Sequence, residues 1–295
     1  MDFISSIMAT VGHLYPLKSG FCRFANSAMF RHLDPPNGPD AIAKVTGRRA
    51  LVPGGDHVGR AMRFVGDLDP KVSWIVDRAI LPGDVALDIG ANLGLVSLRM
   101  AARTGLKGQV HAFEPQPRLH PYLNQTIAMN PACPITLHPI ALGREQAVLT
   151  MSVPAHNAGA ASLLARPDML PDPNITQIDV PVHRLDDYAD HIGLERINFI
   201  KIDVEGFEFQ VFSGAQSLLE RTRPHVIILE ENQIDPATGL SDALRLLQDL
   251  GYDLYALPRR LFSVTLHPAA QAQEAHDFVA VSKDAPKDLR ARLRL

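Results

Sequence analysis

From Val85 to Met100 the chain reads as a short apolar strand, a glycine turn and an amphipathic helix. No other stretch restricts the fold as much. Leu93, Val96 and Met100 recur at i, i+3 and i+7, the spacing of one helical face. Gly90 and Gly94 supply a tight turn where backbone can approach a ligand closely. In open α/β sheets such a turn lies beyond the carboxyl ends of the strands, where ligands bind.

Strands and helices alternate on both sides of this unit. Pro70–Ile80 has helical spacing, and Pro82-Gly83 punctuates it before the strand. Gln109–Glu114 is a second strand, followed by a helix bearing Leu119, Leu123 and Ile127. Ile135–Ile140, residues 147–153 and residues 177–183 read as further strands, with a polar, Pro-rich loop through 154–175. Asn198–Asp203 is a core strand whose continuation carries Phe207, Val211, Ala215 and Leu218 along one helix. Val226–Leu229 is uniformly apolar, as a central parallel strand should be. Ser241 caps a helix ending at Gly251, and Tyr252–Leu257 and Phe278–Ser282 are the last strands. The pattern predicts a mostly parallel sheet covered by helices. With 295 residues, it divides into an N-terminal extension, helical or irregular, over 1–55 and one α/β domain over 56–295. In the extension, Ile4, Ile7, Met8 and Val11 suit one face of a short helix packed on the main domain. Residues 33–40 are turn chemistry, and residues 42–65 read as short strands or turns, with Gly54 and Gly55 breaking any helix.

Three carboxylate stations carry the chemistry. Asp88 stands at the end of the first strand, where a dinucleotide fold would read G-x-G-x-x-G and cradle a pyrophosphate. A fixed anion repels a diphosphate and attracts an ammonium, a preference on the order of several kcal/mol at a few ångströms. S-adenosylmethionine has an ammonium, a sulfonium and no phosphate, so the turn favours it. Glu114, about twenty residues past the glycines, can accept both ribose hydroxyls of an adenosine, or be a solvated strand end. Pro115 stiffens the turn after it. Asp203 and Glu205 follow the strand Ile200-Lys201-Ile202, and Gly206 allows another tight turn. They could contact the methionine moiety, take a proton or hold a metal, or simply cap the next helix.

Taken in order, Asp-Ile-Gly-Ala-Asn-Leu-Gly (88–94), Ala-Phe-Glu-Pro-Gln-Pro (112–117), Leu-Asp-Asp-Tyr (185–188) and Lys-Ile-Asp-Val-Glu-Gly-Phe-Glu (201–208) resemble the FkbM family of S-adenosylmethionine-dependent methyltransferases. The likeness covers residues 56–232. It implies a class I methyltransferase, Rossmann-like sheet of seven strands with the last reversed, and O-methylation of a hydroxyl on a sugar, glycan, polyketide or related metabolite. Onto this chain it carries Asp88, Gly90, Asn92 and Gly94 as the cofactor loop, Glu114 as the ribose acceptor with Pro115 beside it, and Asp203 and Glu205 as acids at the active edge. Residues 159–163 (Gly-Ala-Ala-Ser-Leu) resemble the family's Gly-x-x-Ser-Leu segment, which implies a loop bordering the substrate. His183-Arg184 departs from the small or polar residues expected before Leu-Asp.

Methyl transfer to a hydroxyl gains from positioning and from proton removal. Asp203 or Glu205 is the expected proton acceptor, with His156 and His183 as rivals and His57 and His111 as core or surface residues. Two other classes share part of the pattern: a non-catalytic S-adenosylmethionine-binding scaffold, and a nicotinamide oxidoreductase, which would want glycine in place of Asp88. Net charge is −3, so no basic field advertises nucleic acid. Cys22 and Cys133 have no metal-ligand spacing and are too few for a disulfide framework; no metal is expected. No apolar run has membrane-spanning length, and the N-terminus lacks the pattern of a secretory signal. A cytoplasmic enzyme is the expectation.

Overall fold

The computed structural model describes residues 8–10, 12–13, 19–155, 157–164, 174–235, 237–271 and 275–295. Of the expected N-terminal helix face, Ile4, Ile7 and Val11 lie outside these, as does His156. Strands β1 (Ala41–Val45) and β2 (Arg48–Val52) form an antiparallel hairpin. Then come β3 (Val85–Ile89), β4 (Gln109–Phe113), β5 (Ile135–His138), β6 (Ala141–Leu142), β7 (Ala147–Pro154), β8 (Ile175–His183) and β9 (Phe199–Ile202). β10 (Val226–Glu230), β11 (Tyr252–Ala256), β12 (His267–Pro268) and β13 (Asp277–Ser282) complete the strands.

Eight of them make the main sheet, in the order β12-β11-β13-β10-β9-β3-β4-β5. β5, β4, β3, β9 and β10 run parallel, and β13 lies antiparallel between β10 and β11. The expected reversed last strand is therefore present, and the two-residue β12 adds an eighth strand at the edge. β6, β7 and β8 form a separate small sheet.

Alternation along the strands divides the core. Ala86, Val110, Ala112, Phe199, Val226, Ile228 and Val279 pack to one side, with helices Pro70–Ala79, Leu95–Thr104 and Lys287–Leu293. Their neighbours Leu87, Ile89, Ile200, Ile202, Ile227, Leu229 and Phe278 pack to the other, with helices Leu185–His191, Glu208–Ser213, Gln216–Thr222 and Asp242–Asp249. Successive strand side chains point to opposite faces, so a strand covered on both reads as apolar throughout.

Two elements differ from the sequence reading. His57–Phe64 is a helix, not a strand or turn. Asp56 caps it by accepting the N–H groups of Val58 at 2.9 Å and Gly59 at 2.8 Å, and Arg63 pairs with Asp34 at 2.7 Å. Second, the helix expected to run from Phe207 to Leu218 is broken in two. A Cβ on Gly214 would overlap the carbonyl of Gly143, so the chain turns there. Asp186 then caps the second half, accepting Leu218 N–H at 2.8 Å.

Helices Phe21–Ala25 and Ala28–Leu33 pack on helix His57–Phe64 through Phe30 and Phe64, whose ring centroids are 4.8 Å apart. This arrangement brings residues 19–23 over the carboxyl edge of the main sheet.

Candidate active site

A cavity of about 610 Å³ opens at that edge. Its walls come from the turns after β3, β4 and β9, from the end of β10, from residues 19–23, and from the loop holding Arg259 and Leu261. Gly90, Asn92, Glu114, Pro115, Asp203 and Glu205 all line it, so most of the anticipated site residues are brought together.

The first turn is shaped by its glycines. Gly90 has φ +78° and Gly94 φ +77°, and Asn92 sits at +51° between them. These are left-handed conformations that glycine, and sometimes asparagine, adopts cheaply. Gly90 and Ala91 each donate to the Phe113 carbonyl at 3.0 Å, which ties the turn to the end of β4. Gly94 is not in the wall; it starts helix Leu95–Thr104. Asn92 donates its backbone N–H to Glu114 Oε2 at 2.8 Å, and Gln116 donates to Oε1 at 2.9 Å. Glu114 is thus a fixed, buried carboxylate at the cavity wall. Burial pushes its carboxyl up to about 7, against the pull of the Gln116 and Asn92 N–H groups.

Asp88 is placed differently from the expectation. It is fully buried and lies beneath the cavity rather than in its wall. Ser97 Oγ donates to its Oδ2 at 2.5 Å, and Lys201 Nζ stands 3.5 Å from Oδ1. Asp88 therefore does not present its charge at the cavity surface, and the ammonium of Lys201 faces it from 3.5 Å. Lys201 also donates to the Gly90 carbonyl at 3.0 Å and stands 3.5 Å from Asp203. Burial opposes its charge, but Asp203 and Asp88 outweigh that and hold its pKa above the ordinary lysine value.

Phe207, at the start of the next helix, makes no side-chain cap. The loop is held instead by Glu208, whose Oε1 accepts Val204 N–H at 3.1 Å and Gly206 N–H at 3.3 Å. Burial first, with Glu231 and Asp203 nearby, raises Glu208 to about 7. Glu205 has φ +52°, and its carbonyl accepts Ser162 Oγ at 2.9 Å. Gly159, Ala161 and Leu163 line the cavity, so the Gly-Ala-Ala-Ser-Leu loop does border it.

His183 is not in the wall; its ring lies 5.5 Å from that of Tyr188. His111 is buried against His138. His57, in contrast, is a wall residue with Nε2 2.6 Å from Cys22 Sγ. Sequence reasoning also passed over Lys71, Glu230 and Asp277, all in the wall. Their only signal was position: Glu230 and Asp277 stand at strand ends on the ligand edge.

A mostly parallel sheet with β13 inserted antiparallel, and a ligand-sized cavity at its carboxyl edge, defines a class I methyltransferase fold. The Methyltransferase FkbM domain matches residues 88–254, more than half of the chain, and the protein belongs to that family of methyltransferases. It is 28% identical over 225 residues to 31-O-demethyl-FK506 methyltransferase FkbM of Streptomyces tacrolimicus, covering 66% of this chain and 82% of that one. It is 29% identical over 170 residues to 2-O-methyltransferase NoeI of Sinorhizobium fredii, covering 52% and 68%. Among solved structures, Aeropyrum pernix fibrillarin in complex with natively bound S-adenosyl-L-methionine aligns with a TM-score of 0.41 and 14% identity, over 84% of this chain and 86% of that one. Among the described residues, no helix is long and apolar enough to cross a membrane.

Proposed function

We propose that this chain transfers a methyl group from S-adenosyl-L-methionine to a hydroxyl oxygen of a sugar, glycan, polyketide or related metabolite. Glu114 carries the donor reading. Two backbone N–H groups fix its carboxylate, and each oxygen keeps acceptor capacity for the paired hydroxyls of a ribose. The cavity volume falls in the range of about 300–1,000 Å³ expected for small-molecule sites. Bound there, the donor supplies an electrophilic methyl group on a sulfonium.

The rest is positioning by the protein. The Gly90 turn brings backbone against the donor, and Asn92 couples that turn to Glu114. Asp203 and Glu205 give the wall negative charge on the side away from Glu114, which suits a cation. Asp88 acts at one remove, by holding Lys201 beneath Gly90 and Asp203. Two of the relatives carry an O-methylation position in their names, 31-O-demethyl-FK506 methyltransferase and 2-O-methyltransferase, which supports oxygen as the acceptor atom.

Calorimetric titration with S-adenosylhomocysteine and with NAD tests the donor. The expected result is saturable binding of the first alone, weakened at least tenfold by Glu114→Ala. Binding of NAD in its place would overturn the reading in favour of an oxidoreductase. Binding without any S-adenosylmethionine turnover over a broad set of hydroxylated acceptors would leave a scaffold.

A further inference from the structure

The registers of the main sheet set four residues side by side at its carboxyl edge. Ile89 pairs with Ile202, and Ile202 with Leu229, so the next residues Gly90, Asp203 and Glu230 end adjacent strands in a row. Across the antiparallel ladder Glu230 pairs with Asp277. All four line the cavity. The two flanking acids each have a buried lysine: Lys201 Nζ is 3.5 Å from Asp203, and Lys71 Nζ is 2.6 Å from Asp277. Glu230, between them and half-buried, has no lysine or arginine in ion-pair contact among the described residues.

That asymmetry separates their chemistry. A carboxylate facing an ammonium is stabilised as the anion and is a weak base, whereas one flanked by other carboxylates gains by taking a proton. We infer that Glu230 is the base that accepts the acceptor hydroxyl's proton during methyl transfer; this rests on the O-methyl-transfer reading above. The hydroxyl oxygen forms its bond to the methyl carbon while the carbon–sulfur bond breaks, its electron pair staying on sulfur to leave a neutral thioether. The O–H proton goes to Glu230, which becomes a neutral acid and returns the proton to water. One positive and one negative charge are lost together.

The surroundings tune Glu230 for this. Burial first, then Asp203, Asp277 and Glu205, push its carboxyl up to about 7, with a hydrogen bond to Asn232 working the other way. Lys201 and Lys71 stand behind the flanking acids, and Arg259 acts on Asp277 from the loop after β11. A base with a pKa near the working pH is the most effective one.

The test compares wild type with Glu230→Gln and Glu230→Asp. In infrared pH titrations of the protein alone, the wild-type minus Glu230→Gln difference should show a protonated carboxyl stretch with its midpoint near neutrality; a midpoint near that of a solvated glutamate overturns the assignment. S-adenosylhomocysteine affinity should stay within about threefold in both variants, because Glu230 is assigned to the proton and not to the donor. Turnover of S-adenosylmethionine, with methyl glycosides supplied and water as fallback acceptor, should fall about 100-fold or more in Glu230→Gln, with loss of the acidic limb of the pH profile. Glu230→Asp should keep that limb. Wild-type turnover in a folded Glu230→Gln sinks the base while leaving the methyltransferase reading intact. Wild type that neither binds the thioether nor forms it sinks the underlying reading instead.

Discussion

Gly90 lies so close beneath Asp203 that a Cβ built on it would overlap the Asp203 carbonyl oxygen. The turn after β3 and the turn after β9 are therefore seated on one another, and the cavity floor depends on a missing side chain. Gly90→Ala should lose S-adenosylhomocysteine binding at least tenfold, because the turns must separate. Gly83→Ala is the control. Its φ is also left-handed, +92°, but open space surrounds the added atom. It should cost only about 1–2 kcal/mol of backbone strain and leave binding unchanged. Calorimetry and urea unfolding on both variants check this, and equal binding losses would contradict it.

Lys201 is the only described cation placed against both Asp88 and Asp203. Removing one member of a buried ion pair leaves an uncompensated charge, at a cost of roughly 3–5 kcal/mol. Lys201→Met should lose about that much in urea unfolding. Lys201→Met combined with Asp88→Asn should recover a substantial part, since the orphaned carboxylate is gone. Strict additivity of the two changes would show that the pair does not interact.

The Leu-Asp-Asp-Tyr motif divides into a structural and a solvated half. Asp186 caps helix Gln216–Thr222 across the fold, whereas the Asp187 side chain is 68% exposed. Asp186→Ala should cost about 1–2 kcal/mol, the range for a lost helix cap. Asp187→Ala should change stability by less than about 0.5 kcal/mol. Thermal melts distinguish them, and a reversed order would refute the cap.

Local chemistry explains what could be read in advance. Each strand of the parallel core announces itself by an apolar run, and the Gly90 turn and Glu114 stand at fixed offsets from those runs. What failed depends on partners distant in sequence. Helix His57–Phe64 was hidden by Gly54 and Gly55, read as breaking any helix, whereas they only precede Asp56, whose side chain caps it. Lys201 was given no role of its own, because its carboxylate on β3 comes from more than a hundred positions earlier. The same blindness applied to Asp88: the sequence shows a carboxylate at a strand end, and only packing reveals that an ammonium already faces it. Glu230 ends an apolar strand as many solvated acids do, and its neighbours Asp203 and Asp277 belong to other strands.

Two buried groups should impose opposite pH dependences on stability. His138 meets His111 Nδ1 at 2.9 Å and the Tyr188 hydroxyl at 3.1 Å. Burial, and then the charge of His111, push it down to about 4 from 6.5. Between those values the unfolded chain binds a proton that the folded chain refuses, so stability drops as the pH is lowered, by up to about 1.4 kcal/mol per unit. Glu208 is raised by burial from 4.5 to about 7. Over that interval the folded chain takes the proton first, and its contribution to stability grows as the pH falls. Glutamine at either position removes the titration, and at 208 it keeps an acceptor for Val204 and Gly206. In urea unfolding across this range, the stability of His138→Gln relative to wild type should climb as pH drops below 6.5. That of Glu208→Gln should decline as pH drops below about 7. Titrating groups remote from the substituted residue are common to all three proteins and cancel in these differences. Curves that run parallel for all three would mean that neither group changes its proton affinity on folding.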